Sequence, residues 1–278
     1  MITLVRRVTA VCLLGTALTA CAATVQPAPR TARPAPSATS APPTLAPGPG
    51  GLTPVFRNGS RVHGRTVALT FDADMTADQG ARAATGEHFD NPGLISALRA
   101  LKVPATVFMT GRWAEEYPDQ ARSIGRDPLF EVANHSYSHY AFTDDCYGLP
   151  RVSADRMRAD VERAHSAFRK AGVPDARPYF RFPGGCYDRR ALRELTPAGV
   201  TAVQWDVVSG DAFATDAEAV ARQVLEGVRP GSVVVLHCTR SAAPTTERVV
   251  RAVVPRLRAR GFRFVKVSEL IGSWSGGS

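Results

Sequence analysis

Val67-Ala68-Leu69-Thr70-Phe71-Asp72-Ala73-Asp74 is an apolar run that ends in two carboxylates one residue apart. Its first five residues read as a strand, because branched and aromatic side chains suit a pleated surface. Runs of the same kind recur at 105–109, 130–133, 179–182, 202–205, 233–236 and 262–267. Helical patterns separate them. Asn91-Pro92 opens one that continues through Leu94, Leu98 and Leu101. Ser153 caps a longer one through Met157, Val161, Ala164 and Phe168, and Gly172 stops it. Others are expected near 189–198, 216–228 and 245–260. Strands alternating with helices imply a parallel sheet with helices outside it. The expected fold is α/β: a distorted, incomplete (β/α) barrel of about seven parallel strands.

In parallel barrels and open α/β sheets, reactive groups gather just past the carboxyl ends of the strands. The chain follows that rule at five places. Asp72 and Asp74 follow the first run, and His135 and His139 follow the third. Arg181 and Tyr187 flank the end of the fourth. Trp205, Asp206 and Asp211 follow the fifth, and His237 follows the sixth. Within Asn134-His135-Ser136-Tyr137-Ser138-His139, a helical turn would put both imidazoles on one face, close enough to grip one cation. Neutral imidazole suits zinc and other divalent first-row metals.

The beginning of the chain has a different character. Arg6-Arg7 precedes an apolar stretch from Val8 to Leu18, of signal-peptide length and too short for a stable span. Leu18-Thr19-Ala20-Cys21 then resembles a bacterial lipobox, which implies a leader over 1–20, cleavage before Cys21 and lipid attachment there. Ordinary secretion, with Cys21 incidental, is the alternative. Residues 21–55 are dominated by Ala, Pro, Thr, Ser and Gly and read as a disordered, semi-rigid tether. Residues 56–278 are left as the catalytic domain.

With 44% hydrophobic and 21% charged residues, the composition is that of a globular protein. The net charge of +9 stays positive when Arg6, Arg7, Arg30 and Arg33 are set aside. The surplus is spread along the chain, and export argues against a nucleic-acid partner; attraction to anionic envelope polymers is the functional reading. Cys146, Cys186 and Cys238 fall in the folded part. Outside the cytoplasm a pair of them is expected to oxidise, leaving one over.

Taken in order, five clusters resemble the polysaccharide deacetylases, the NodB-type domain of carbohydrate esterase family four. They are Thr70-Phe71-Asp72, His135-Ser136-Tyr137-Ser138-His139, Arg181-Phe182-Pro183-Gly184-Gly185-Cys186-Tyr187, the stretch from Trp205 to Asp211, and Val234-Val235-Leu236-His237. The resemblance covers about 61–272. It implies hydrolysis of acetyl groups on sugars, with a divalent metal, zinc or another such as cobalt, as cofactor. Asp72 matches the base, His135 and His139 the metal histidines, and His237 the general acid. Arg181 matches the arginine that orients the base through a bidentate pair. The Tyr187 backbone N–H matches the oxyanion donor, while Gly185 and Trp205 are expected along the substrate groove. The family's third metal ligand directly follows the base; here that position is Ala73, and Asp74 is expected to swing in. The family's charge-tuning aspartate falls at Val208, so Asp206 or Asp211 takes that role, and its tryptophan falls at Ala212. The implied protein is a monomeric, lipid-anchored, extracytoplasmic deacetylase of a polysaccharide, most naturally peptidoglycan N-acetylglucosamine or chitin-like oligomers. A glycan-binding lipoprotein with weakened catalysis and an O-acetyl polysaccharide esterase are the alternatives.

Overall fold

The computed structural model describes residues 41–62 and 64–274. The expected leader, the lipidation site at Cys21 and the tether up to residue 40 lie outside the described residues. Among the described residues, nine strands form one parallel sheet: β1 Val55–Phe56, β2 Thr66–Ala73, β3 Ala105–Met109, β4 Phe130–Asn134, β5 Ala176–Phe180, β6 Thr201–Val203, β7 Val207–Val208, β8 Ser232–His237 and β9 Arg263–Phe264. Their order is β1-β6-β5-β4-β3-β2-β8-β7, with β9 pairing the start of β2. β1 and β7 are the two free edges, so the barrel is incomplete as expected. The connection from β6 to β7 spans from β1 to β8: Gln204 donates its N–H to Phe56 and Asp206 donates to Val233. All seven expected strands are present. The two additional ones, β1 and β7, are two residues long, below the length at which a hydrophobic period is readable.

The larger helices are α1 Gly80–Ala84, α2 Pro92–Ala100, α3 Gly111–Glu116, α4 Pro118–Gly125, α5 Met157–Ala171, α6 Arg189–Leu195, α7 Ala217–Gly227, α8 Thr246–Ala259 and α9 Val267–Gly272. Asn91 caps α2 by accepting from Leu94 N–H at 3.0 Å. In α5 the buried positions Met157, Val161, Ala164, Phe168 and Ala171 recur every three or four residues, giving the helix one core-facing stripe. Ser153 instead precedes a short 3-10 turn, Ala154–Arg156, before α5 begins.

The strand period of two decides which side chains meet the site. In β2, Val67, Leu69, Phe71 and Ala73 face the helices, while Ala68, Thr70 and Asp72 fall on the inner side. Val107 and Val132 likewise pack outward, and Phe108 and Ala133 inward. Carried past the strand ends, the same alternation aims Asp72, His135, Arg181 and His237 at the inside of the curled sheet. α9 closes the opposite mouth: Val267 N–H donates to Thr106 Oγ1 at 3.0 Å, and Leu270 and Ile271 fill the inner core.

Residues 41–55, expected as part of a tether, belong to the folded unit. Tyr179 Oη donates to the Pro43 carbonyl at 2.8 Å, Leu45 N–H to Thr201 Oγ1 at 3.2 Å, and β1 pairs with β6. Proline-rich chain needs no internal hydrogen bonds, so its few polar groups can be satisfied on the sheet edge. The compact unit therefore begins at Ala41 rather than at residue 56.

The oxidised pair is Cys146–Cys186, and Cys238 is free and buried. The bridge joins residues 40 apart, and closing such a loop restricts the unfolded chain by about 4 kcal/mol. The double variant Cys146→Ser, Cys186→Ser should lose stability of that order in denaturant unfolding. A loss below ~1 kcal/mol would show that the loops are held by other contacts.

Candidate active site

Asp72 ends the inner face of β2, opposite His237 on β8. Its Oδ1 accepts from Arg181 Nη1 at 2.6 Å. Arg181 is wholly buried, with Nε donating to the Val203 carbonyl at 3.2 Å and its guanidinium 3.9 Å from the Phe108 ring. Nη2 has no partner among the described residues. The expected bidentate pair is thus a single charge-assisted bond: Nε is taken by a backbone carbonyl, and Nη2 does not reach the carboxylate. Arg181 still fixes the Asp72 carboxylate and leaves its Oδ2 facing His135, 3.8 Å from Nε2.

The histidine pair does not sit on a helix. Residues 135–140 form a loop in which Ser136 and His139 adopt left-handed backbone, with φ of 69° and 56°. Side chains hold this turn. Ser136 N–H donates to Asn134 Oδ1 at 2.8 Å, and His139 N–H to Ser136 Oγ at 3.0 Å. Tyr137 and Ser138 donate their N–H groups to Asp160 on α5, at 2.9 and 3.3 Å. The loop packs so closely on α3 that a Cβ at Gly111 would lie 2.5 Å from the Tyr137 ring. The two imidazoles end with centroids 4.9 Å apart.

Ala73 points into the helix layer, so the position directly after Asp72 offers nothing to the site. Asp74 returns two residues later, and its Oδ2 stands 3.7 Å from His139 Nε2. Thr239 Oγ1 donates to its Oδ1, and the Asp74 N–H donates back to Thr239 Oγ1 at 3.3 Å. Burial alone would raise the Asp74 carboxyl; the charges of His139 and His237 and the Thr239 hydroxyl outweigh it and hold it below its ordinary value.

These groups form a donor set. His135 Nδ1 donates to the Arg181 carbonyl at 2.9 Å, because a carbonyl can only accept, so Nε2 carries the lone pair. Burial lowers His135 and brings His139 down to about 4, so both rings are neutral near pH 7. Two neutral imidazoles therefore face two carboxylates at 3.7–3.8 Å, and at His135 the nitrogen turned to the carboxylate is the one with the lone pair. Donors about 2.1 Å from a tetrahedral ion stand roughly 3.4 Å apart. Among the described residues no three donors already have the compact spacing of a metal cluster. His135, His139 and Asp74 nonetheless offer the nitrogen and oxygen donors that suit a divalent cation, and the His139–Asp74 pair, at 3.7 Å, is a few tenths of an ångström wider than that spacing.

His237 lies across from this set. Its Nδ1 is 2.8 Å from Asp211 Oδ1, and its backbone N–H donates to Asp211 Oδ2 at 2.8 Å. Asp211 is fully buried and also accepts from Ser209 Oγ and Thr246 Oγ1, at 2.8 and 2.7 Å. Burial alone would lower His237, but the Asp211 hydrogen bond and charge raise it to about 9. Asp206 is not part of this arrangement. Its carboxylate accepts from Arg61, Ser232 and Val233 N–H at the far end of β8.

Asp74, His139, His237 and Thr239 line an open groove of about 410 Å³ that also exposes Gly184, Leu149, Tyr147 and Phe213. Gly185 and Trp205 face each other rather than the groove: with φ of 75°, Gly185 leaves no room for a Cβ, which would sit 2.4 Å from the Trp205 ring. The Tyr187 ring stacks on Phe182 at 5.3 Å and its hydroxyl accepts from Arg57. The Tyr187 backbone N–H has no acceptor among the described residues. Cys238 is inert: its N–H donates to the Asp72 carbonyl at 2.7 Å, and burial pushes its thiol up to about 12.

Asn134, Asp160, Ser209, Thr239 and Thr246 were not legible as site residues, since each acts through another side chain. Thr239, two residues past His237 on the same rim, was the one with a positional signal.

The sequence profile described as polysaccharide deacetylase matches residues 59–203, more than half of the 278. The chain belongs to the polysaccharide deacetylase family. The chitooligosaccharide deacetylase of Bradyrhizobium sp. (strain ANU 289) is 29% identical over 232 residues, covering 79% of this chain and 97% of that protein. A peptidoglycan-N-acetylglucosamine deacetylase of Bacillus cereus is 27% identical over 206 residues, covering 73% of this chain and 67% of its own. Among solved structures, a peptidoglycan N-acetylglucosamine deacetylase superimposes with a TM-score of 0.67 at 23% identity, over 81% of this chain and 96% of the other. That likeness speaks for the fold. The polysaccharide deacetylase profile ends at Val203, so Asp211, His237 and Thr239 stand on geometry.

Proposed function

We propose that this chain hydrolyses acetyl groups from amino sugars of an envelope or extracellular polysaccharide, with peptidoglycan N-acetylglucosamine or chitin-like oligomers as substrate. The observation that carries the reading is the pair of neutral imidazoles facing two carboxylates beside a protonated histidine, all on one rim. A divalent cation, zinc or cobalt, would be held by His135, His139 and Asp74. When bound, such an ion acidifies water and polarises a carbonyl.

The remaining steps belong to the chain's own residues. Asp72 is the base that takes the proton of the attacking water, with Arg181 holding its other oxygen. The free Tyr187 N–H is the donor for the carbonyl oxygen as negative charge develops there. Asp211 occupies Nδ1 of His237, so the proton available to the leaving sugar nitrogen is the one on Nε2. The disulfide supports an extracytoplasmic site of action.

The experiment is acetate release from N-acetylglucosamine oligomers and from peptidoglycan. Release should stop with a chelator and return with Zn²⁺ or Co²⁺, and elemental analysis should find about one ion per chain in the parent and almost none in His135→Ala. Undiminished release from chelated, metal-free protein would overturn the cation's role.

A further inference from the structure

Among the described residues, four large hydrophobic side chains are exposed, and two of them are aromatic: Tyr147 at 87% and Phe213 at 83%. Both line the active-site groove. Both also sit on left-handed backbone, with φ of 51° and 61°, a conformation glycine adopts with less strain. Two unfavourable features, an aromatic ring in water and a side chain at positive φ, thus coincide twice on one groove. Neither is explained by packing.

Each ring is also tied to the catalytic apparatus. Tyr147 follows disulfide-bonded Cys146, and its ring lies 3.4 Å from where a Cβ on Gly184 would be, above the loop that leads to the Tyr187 N–H. Phe213 follows Asp211 by two residues, and its N–H donates to the Ala242 carbonyl at 2.6 Å, which anchors the turn beside His237. The loops arise after β4 and β7, strands on either side of β2, whose end carries Asp72 and Asp74.

We propose that Tyr147 and Phe213 are stacking platforms for the sugar rings that flank the acetylated residue, so that the site takes an extended glycan rather than a single sugar. The proposal rests on the deacetylase reading above. A chair-form, equatorially linked pyranose presents an apolar C–H face that an aromatic ring covers well. The strain is tolerated because the disulfide and the Ala242 contact hold both turns before substrate arrives, so little ordering is left to binding.

The test is binding, read without turnover. The N-acetylglucosamine tetramer and the single sugar are titrated calorimetrically into Asp72→Asn protein, alone and combined with Tyr147→Gly or Phe213→Gly. Each glycine should weaken tetramer binding by about tenfold and the pair by about a hundredfold, as expected for losing one and two ring contacts. The preference for tetramer over monomer should shrink in step, and Tyr147→Phe should retain tetramer affinity. Glycine suits both backbone positions, so melting temperatures should not fall and misfolding cannot mimic the effect. Tetramer affinity within twofold of the parent in both variants, or no tetramer binding by the parent, overturns the proposal. Tetramer binding that depends on both rings, with no acetate released by wild-type protein, would leave the platforms standing and refute the deacetylase reading.

Discussion

Asp72→Asn should reduce acetate release by about a thousandfold or more at saturating substrate. General base catalysis by a positioned side chain contributes roughly 10²–10⁴, and among the described residues no other carboxylate is placed to substitute. Asp74 is turned toward His139 and is engaged by Thr239. The substitution has a second consequence, on stability. Asn can still accept the Arg181 hydrogen bond but carries no charge, so a wholly buried guanidinium loses its counterion. Breaking a buried pair on one side costs about 3 kcal/mol or more, so melting should drop, and activity must be read below the new transition. Cation content should stay near one per chain, because Asp72 is not among the proposed holders. Full activity in this variant would refute the assigned base.

The second large effect is expected at Asp211. In Asp211→Asn the ring of His237 loses the hydrogen bond and charge that raise it to about 9, while the burial that lowers it remains. Its pKa should return to its ordinary value near 6.5 or below. The alkaline limb of kcat/KM should move down with it, and the rate at pH 8 should fall by about thirtyfold or more as the acid form is lost. A cation held by His135 and His139 lowers the starting value but not the direction of the change. Stability follows the same sign. Because the folded-state pKa lies above the unfolded one, the pair's contribution is complete below about 6.5 and is lost as pH rises through about 9. The wild-type melting temperature should therefore decline across that window, and the variant's should not. A pH–rate limb that stays in place would show that Asp211 only anchors the β8 end through the backbone N–H of His237.

The rim was readable because parallel strands buried on both faces are continuous apolar runs, and each reactive residue sits just past one. Alternation then places Asp72 inward and Ala73 outward, which is why Asp74 faces His139. The turn at 135–139 was hidden: nothing in Ser136 or His139 announces left-handed backbone, and the Asx-type bonds that stabilise it reach to Asn134 and Asp160. Asp206 and Asp211 were indistinguishable by position, since both follow β6. They differ in neighbours from elsewhere in the chain, Arg61 for one and Thr246 for the other. The Arg181 geometry and the pairing of Cys146 with Cys186 likewise depend on three-dimensional distances that composition does not carry.

Pro43 rests against Gly272 at the end of α9 and accepts from Tyr179, so the polypeptide joins the domain beside the plugged mouth of the barrel. Within the described residues, the segment that starts at Ala41 and the catalytic rim therefore occupy opposite ends of the same strands.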